Sequence, residues 1–199
     1  MSELAVVAGS EEALYLLRSK DGGKTWAAET AIPDLDVAEV STAQDGTVYV
    51  GTRGRGILRS RDLSKWEEVE TPSALQKVRC FSIDGDRFLV GNEARPDPVG
   101  VFEWEDGESW RPLGDLSACS AAAEWTYPVA TVGVHVRYVS RDPHQRDRLY
   151  AAIQVGGVAI SPDGGESWSD RRNLDLDCHM IEGDPRMRCM ISDQIERSP

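Results

Sequence analysis

Three side chains of this sequence are placed so that together they could bind an anion. Arg79, Arg137 and His179 each lie five residues before an aspartate that ends a β-type run. Guanidinium groups bind carboxylates through paired hydrogen bonds, and a histidine adds a titratable donor. We therefore predict an anion or carboxylate site at these residues. The alternative is that they form ion pairs with acids of neighbouring units, such as Asp36, Asp175 and Asp177.

A second group of side chains has the composition of a sugar site. Glu124, Trp125 and Tyr127 stand close together in a long insertion, residues 114–135. An aromatic platform beside a carboxylate suits a glycan, and long irregular loops often carry function. The other interpretation is that the loop packs its own aromatic rings as a plug.

The elements that position these residues belong to a repeat marked by tryptophan. Trp26, Trp66, Trp110 and Trp168 follow one another at intervals of 40, 44 and 58 residues. Before each tryptophan, β-branched or aromatic runs alternate with Gly, Pro and Asp turn signals, which is typical of strands. The fullest copy contains four such runs, which we call strands a to d. A four-stranded meander repeated at this period predicts an all-β fold, a β-propeller of four-stranded antiparallel blades.

The repeat count leaves the ends of the propeller open to two interpretations. The predicted blades span about residues 4–30, 36–71, 77–114 and 135–172, with a partial fifth at 177–192. The first blade begins at its strand b, and the last segment contains a strand a without a hairpin after it. Either the two ends join into a small ring, or the chain is an open arc with exposed edges. An open arc would favour a partner or self-association.

A turn motif joins strands c and d in each blade. Its full copies contain Ser19, Asp21, Gly23 and Trp26, and Ser161, Asp163, Gly165 and Trp168. Its degenerate copies keep Ser60, Asp62 and Trp66, and Asp106, Gly107 and Trp110. Ser and Asp side chains bind nearby backbone groups, glycine takes positive φ, and the tryptophan ring packs on a neighbouring blade. We therefore predict a structural role for the motif.

The pattern Ser-x-Asp-x-Gly-x-Ser/Thr-Trp resembles the Asp-box, or BNR, repeat of sialidase-like and glycosyl hydrolase-like β-propellers. The resemblance implies that these turns lie at the outer bottom edge of the blades, with the ligand at the opposite end. Sialidases use an arginine triad and carry an F/Y-R-I-P tetrapeptide, which this sequence lacks. The expected function is therefore a non-catalytic binding or scaffold module. The alternative is a sialidase-like glycoside hydrolase with its site on the face opposite the Asp-boxes.

Composition narrows the partners to a protein or a glycan. The 199 residues carry a net charge of −12, which argues against nucleic acid or an anionic membrane, since both need a basic surface. No apolar stretch is long enough for a membrane span, and the first residues lack a signal-peptide pattern, so we expect a cytoplasmic protein. The four cysteines are widely spaced, and His135 and His144 are interpreted as surface or loop residues. No metal site and no cofactor are predicted.

Overall fold

The computed structural model describes residues 3–84, 87–94, 98–105, 109–129, 131–171, 178 and 181. These residues form fifteen β-strands in four antiparallel sheets, with short 3-10 helices at Ser73–Leu75, Leu116–Ala118 and Ala122–Glu124. The predicted all-β class with four-stranded antiparallel sheets is confirmed. The predicted partial blade at 177–192 lies outside the described residues except at positions 178 and 181.

The strands follow each other as meanders, and we call the four sheets blades 1 to 4. Blade 1 contains β1 (Leu4–Gly9), β2 (Ala13–Ser19) and β3 (Ala27–Pro33), and blade 2 contains β4 (Val37–Thr42), β5 (Val48–Thr52), β6 (Ile57–Ser60) and β7 (Glu67–Val69). Blade 3 contains β8 (Val78–Asp84), β9 (Arg87–Asn92), β10 (Val101–Glu105) and β11 (Ser109–Pro112), and blade 4 contains β12 (Val136–Arg141), β13 (Leu149–Ile153), β14 (Gly157–Ser161) and β15 (Ser169–Arg171).

Blade 1 differs from the others in having three strands. Its β1 contacts β4 of the next blade, just as β5 contacts β8 and β9 contacts β12. In blades 2 and 3 the strand making this contact is the second of four, so β1 corresponds to a second strand. Blade 1 therefore has no counterpart of β4, β8 and β12 within the described residues.

The blades are held together by apolar seams. Leu14 and Val50 lie in the seam between blades 1 and 2, Phe88 in the next, and Leu149 and Trp168 in the third. A middle strand in such a stack is buried on both faces, which explains why all five residues of β13 are buried. The first strands of neighbouring blades contact each other, β4 with β8 and β8 with β12. No comparable contact joins β12 to β1 within the described residues. The four sheets therefore form an open arc.

Two glycines allow the blades to approach closely. A Cβ at Gly51 of β5 would lie 2.6 Å from the Cγ1 of Val78, and one at Gly91 of β9 would lie 2.6 Å from the Cβ of Val136. Both valines begin the first strand of the next blade. A larger residue at either glycine would push these strands apart, because such distances are below van der Waals contact.

Candidate functional site

The first strand of blades 2, 3 and 4 has the same backbone irregularity. In each, the pairing with the second strand shifts register at one residue, which is Ala38 in β4, Arg79 in β8 and Arg137 in β12. A β-bulge turns the extra residue away from the regular alternation of side chains. Arg79 and Arg137 therefore hold equivalent positions near the start of their strands. His179, the third residue predicted for this site, lies outside the described residues.

Arg79 forms a buried ion pair with Glu93. Its Nε lies 2.8 Å from Oε2 of Glu93, and its Nη2 contacts the same oxygen. The side chains are 12% and 4% exposed. The other carboxylate oxygen accepts a hydrogen bond from the backbone N–H of Gly133 at 3.0 Å and lies 3.4 Å from Nζ of Lys77. Burial acts to raise the pKa of Glu93, but the Gly133 and Arg79 contacts hold it below its usual value.

Arg137 is exposed and has no ion-pair partner within 4 Å among the described residues. An acid that its charge affects is Glu39 of β4, which is partly buried. Burial raises the pKa of the Glu39 carboxyl, and the charge of Arg137 partly opposes this. We call the surface formed by Arg79, Arg137 and Glu39 near the three bulges the bulge-side surface. It combines one arginine fixed by an ion pair, one arginine without such a pair among the described residues, and one carboxyl group whose pKa is raised by burial.

Sequence reasoning missed Glu39, Glu93 and Lys77. A signal for Glu39 was present, because the register places it one residue after the bulge, where blades 3 and 4 have Cys80 and Tyr138. An acid there breaks the pattern of the repeat. Glu93 gave no such signal in the repeat, since it follows the end of β9 and meets Arg79 through the register of the β8–β9 pair, in which Val78 pairs with Asn92.

The predicted partners of the arginines are different in the structure. Asp36 pairs with Arg53, with Nη1 and Oδ1 2.5 Å apart. Asp175 and Asp177, the other examples, lie outside the described residues. Arg79 pairs with Glu93, so the alternative of a local ion pair is correct for Arg79, although with a different acid. For Arg137 the described part of the chain provides no such pair.

His135, interpreted as a surface or loop residue, lies outside the named strands but is buried, so the surface interpretation is wrong for it. It is 3% exposed, and its Nδ1 lies 2.9 Å from the carbonyl oxygen of Gly133. The ring of Tyr127 contacts it edge-on, with centroids 5.0 Å apart. Burial lowers the pKa of His135 below its usual value. The histidine and Tyr127 thus support the segment whose Gly133 N–H binds Glu93.

The aromatic platform predicted in the insertion does not form around Trp125. Its side chain is 8% exposed and belongs to the core between blades 3 and 4. A Cβ at Gly156 would lie 2.8 Å from Cδ1 of this ring, so the chain passes directly over it. Glu124 is exposed and Tyr127 is partly buried. The insertion packs its tryptophan inward because the seam between the blades offers apolar neighbours that water does not.

The turns between third and fourth strands lie at the other end of the blades. Ser60, at the start of one turn, pairs with Val48, and Val48 pairs with Thr42, the last residue of β4. The bulge at Ala38 is near the first residue of β4. Because antiparallel strands keep this register, the turns and the bulges are separated by the length of the blade.

These turns are closed by their own side chains. The hydroxyl of Ser161 donates to Asp163 at 2.8 Å and accepts from the N–H of Gly165 at 2.8 Å. The Asp163 carboxylate also accepts hydrogen bonds from the N–H and hydroxyl of Ser167. These bonds lower the pKa of Asp163 to about 2, and similar bonds do the same for Asp21. The turn is a self-contained structural unit, although Asp106 and Gly107 of one copy lie outside the described residues.

The described residues provide no metal site and no membrane-spanning helix. No group of three or more His, Cys, Asp or Glu side chains is placed to hold a metal ion in this part of the chain. Nor is any helix there long and apolar enough to cross a membrane. Cys80 and Cys119 are buried free thiols, and burial raises the pKa of Cys80 to about 12.

Solved structures with a similar fold are β-propellers. The GH74 xyloglucanase from Xanthomonas campestris matches with a TM-score of 0.56 and 19% identity over 84% of this chain. YCF48 bound to D1 peptide matches with 0.54 and 16% over 83%. An extracellular domain from a one-component system of B. thetaiotaomicron matches with 0.58 and 14% over 85%. This chain is an arc of a β-propeller.

The propeller arc covers only part of each of these structures. It spans 28% of the xyloglucanase chain, 49% of the YCF48 chain and 21% of the extracellular domain. No protein-family profile matches the arc, and no curated protein matches it. At these identities the likeness establishes the fold alone.

Proposed function

We propose that the protein is a non-catalytic β-propeller module that binds an acidic segment of another protein on its bulge-side surface. The observation that carries the proposal is Arg137, an exposed guanidinium on a bulge with no ion-pair partner among the described residues. A guanidinium in this setting can take a carboxylate through two parallel hydrogen bonds.

The neighbouring groups prepare this surface for a negative ligand. Two cations, Lys77 and Arg79, bind the single carboxylate of Glu93, so this group carries one net positive charge. Arg137 adds a further positive charge. Burial raises the pKa of the Glu39 carboxyl above its usual value, and the charge of Arg137 partly opposes this, so the two groups interact. The Arg79 and Glu93 pair is fixed by the Gly133 N–H, so these two side chains lose little ordering entropy when a ligand binds beside them.

The similar solved structures support a binding role without defining the ligand. YCF48 was solved bound to a peptide, and it shares the fold of this chain. We also infer that the tryptophan-ended turns are Asp-box repeats and that the protein acts in the cytoplasm. Both inferences rest on the sequence pattern.

The test is binding of fluorescent acidic peptides measured by anisotropy. A peptide with several Asp and Glu residues should bind, and its Asn/Gln counterpart should not. Arg137→Ala should weaken binding about tenfold or more, which corresponds to about 1.4 kcal/mol. Arg55→Ala is the matched control, because Arg55 is an exposed arginine paired with Glu68. Equal loss in both variants, or no loss in Arg137→Ala, would contradict the proposal.

The pH dependence of binding provides an independent check. Protonation of Glu39 removes a negative charge beside Arg137, so peptide affinity should increase as the pH falls through the raised pKa of Glu39. Glu39→Gln should bind the acidic peptide more tightly at neutral pH and lose this part of the pH dependence. An unchanged pH profile in Glu39→Gln would remove Glu39 from the site.

A second candidate function is a sialidase-like glycoside hydrolase. What favours it is Glu39, a partly buried carboxyl one residue after the bulge of β4, because burial raises its pKa as it does for the general acids of glycosidases. Aryl glycosides, including sialosides, would reveal turnover. If the wild-type protein turns over a glycoside and Glu39→Gln does not, the enzymatic function replaces the binding proposal. If no glycoside is turned over and the acidic peptide binds, the result supports the binding module.

A further inference from the structure

The seam between blades 2 and 3 contains a cavity at the end where turns join third and fourth strands. Its volume is about 520 Å³. Tyr49 and Arg59 line it from blade 2, and Ile83 and Trp104 line it from blade 3. Ile83 is next to the last residue of β8, whereas the bulge of that strand at Arg79 is next to its first. The cavity and the bulge-side surface are therefore at opposite ends of the blades.

The equivalent end of the seam between blades 3 and 4 is closed by charges. Gly51 of β5 and Gly91 of β9 occupy equivalent positions, since each packs against the valine that begins the next blade. Counted from these glycines, Glu103 of β10 is the equivalent of Arg59 of β6. The Glu103 side chain is 4% exposed, and it accepts a hydrogen bond from Nη2 of Arg141 in β12 at 3.0 Å. An ion pair thus joins blades 3 and 4 at this position.

No such ion pair joins blades 2 and 3 at this position among the described residues. Ile83 and Arg141 each lie four residues after the bulge of their strand, so Ile83 takes the place of Arg141. Arg59 and Ile83 line the same cavity. Arg59 therefore has an apolar side chain, and no charged partner, across the seam in the described part of the chain.

Tyr49 lacks a carboxylate that its equivalent in blade 4 has. Tyr49 and Tyr150 are each the second residue of the second strand of their blade. The hydroxyl of Tyr150 donates a hydrogen bond to Oδ2 of Asp142 at 2.8 Å. Asp142 lies five residues after the bulge of β12, and the residue five after the bulge of β4 is Ala43, which lines the cavity. The hydroxyl of Tyr49 has no hydrogen-bond partner among the described residues.

Two guanidinium groups lie near the hydroxyl of Tyr49. Arg61 follows β6, is exposed, and has no ion-pair partner within 4 Å among the described residues. Arg59 lies 3.4 Å from Glu67, whose side chain is 69% exposed, and exposed pairs of this kind contribute little. Burial raises the pKa of Tyr49, and the positive charges of Arg59 and Arg61 oppose this rise. Both cations are thus available to an anion that the hydroxyl also reaches.

The described lining of the cavity has more positive than negative charge. Its charged residues are three arginines and one acid, Arg59, Arg61, Arg87 and Asp45. The guanidinium of Arg87 lies 3.3 Å from the buried carboxylate of Glu103, so its charge is balanced there. The Asp45 carboxylate accepts hydrogen bonds from the N–H and the hydroxyl of Thr47, which lower its pKa. Arg59 and Arg61 together therefore outweigh the single charge of Asp45.

The remaining wall of the cavity is apolar and held in place by ring contacts. The ring of Tyr49 contacts Phe88 and Trp104 edge-on, with centroids 4.9 and 6.1 Å apart. Trp104 in turn stacks on Trp110, with centroids 5.4 Å apart. The side chain of Ile83 lies beside these rings in the cavity lining. A ligand with an apolar group would meet a preformed surface here, so little ordering entropy is lost on binding.

We propose that this cavity binds a small organic phosphate. Arg59, Arg61 and the hydroxyl of Tyr49 hold the phosphate, and an apolar group of the ligand packs against Ile83. A phosphate monoester has three acceptor oxygens and about two negative charges, which suits three donor groups of which two are cations. The volume of about 520 Å³ accommodates such a molecule. This site is separate from the surface proposed to bind an acidic peptide, since it lies at the other end of the blades.

The first test is titration calorimetry of the full chain with phenyl phosphate. Phenyl phosphate should bind, and inorganic phosphate should bind about tenfold or more weakly, because it has no apolar group to bury. Benzyl alcohol, which has the ring without the charge, should not bind. Equal affinity for benzoate would assign the cavity to a carboxylate and overturn the phosphate site. Equal affinity for inorganic phosphate, or no binding of phenyl phosphate, would also overturn the proposal.

The second test uses paired variants to locate the ligand. Tyr49→Phe should weaken phenyl phosphate binding about tenfold, through the loss of a hydrogen bond to a charged group. Tyr150→Phe is the matched control, because it removes the equivalent hydroxyl of blade 4, and it should leave the affinity unchanged. Arg61→Ala should weaken binding to a similar degree, with the exposed Arg55 as its control in Arg55→Ala. Equal losses within either pair would place the ligand elsewhere.

The third test supplies the missing carboxylate from the chain itself. Ala43→Asp introduces an acid where blade 4 has Asp142, so the new carboxylate should bind the hydroxyl of Tyr49 and abolish phenyl phosphate binding. Far-UV circular dichroism confirms that the variant is folded. Phenyl phosphate binding that survives Ala43→Asp in the folded protein would overturn the site. Arg137→Ala, the variant that tests acidic-peptide binding, should bind phenyl phosphate normally, so failure of one proposal is distinguishable from failure of the other.

Discussion

The indole Nε1 of Trp168 donates a hydrogen bond to the carbonyl oxygen of Leu113 at 2.7 Å and joins blade 4 to blade 3. The tryptophan is 6% exposed, so its N–H has little access to water. Breaking a buried hydrogen bond costs more free energy than breaking an exposed one, because the separated donor and acceptor cannot bind water instead.

Trp168→Phe should therefore lower the free energy of unfolding by about 1–3 kcal/mol, through the lost hydrogen bond and the smaller ring. Trp26→Phe should change it by less than about 0.5 kcal/mol, because Trp26 is exposed and its N–H can bind water. Urea denaturation of the two variants measures the difference. Equal losses would show that Trp168 does not link the blades.

Glu93→Gln should destabilise the fold, because Glu93 binds two cations beside the bulge of β8. The variant removes the charge that binds Arg79 and Lys77 and leaves a guanidinium that is 12% exposed without a carboxylate. We expect a loss of about 1.5–3 kcal/mol in the free energy of unfolding. Glu68→Gln, which removes an exposed pair with Arg55, should cost at most about 1 kcal/mol. Chemical denaturation at neutral pH tests the contrast.

Gly165 and Gly164 provide a matched pair of turn substitutions. Both have positive φ, at +94° and +75°, so an alanine at either is strained. Only at Gly165 would the new Cβ meet a neighbour, since it would lie 2.6 Å from the Cβ of Leu113. Gly165→Ala should therefore cost about 1–3 kcal/mol more than Gly164→Ala. Thermal unfolding of both variants is sufficient, and equal midpoints would contradict the close packing of blades 3 and 4.

Asp163 should contribute to the stability of the protein against acid. Hydrogen bonds lower its pKa from 3.8 to about 2 in the folded state. Its contribution is complete above pH 3.8 and is lost as the pH falls through about 2, because the unfolded chain binds the proton first. Asp163→Asn should be less stable at neutral pH and should show a weaker decline of its unfolding midpoint across this acidic range. Asp34→Asn controls for charge, since Asp34 accepts no side-chain hydrogen bond within the described residues.

The repeat could be predicted because it is local. Each turn such as Ser161 to Trp168 satisfies its hydrogen bonds within a few residues, so the same letters recur wherever the same hairpin recurs. The equivalence of Arg79 and Arg137 followed from this period. The bulge that displays both residues depends on pairing between strands, and the sequence pattern alone did not reveal it.

The sequence by itself determined the all-β class, the four blades and the position of the turns, because alternation of apolar residues and turn chemistry act over short distances. The tertiary structure decided which charges meet. Glu93 lies 14 residues from Arg79 and 40 from Gly133. The pairing of β8 with β9 brings Glu93 beside Arg79, and the approach of the segment before β12 to blade 3 adds the N–H of Gly133. The tertiary structure also decided that Trp125 is core and that Leu4, Val6 and Trp26 are surface, since burial depends on whether a neighbouring blade covers the face.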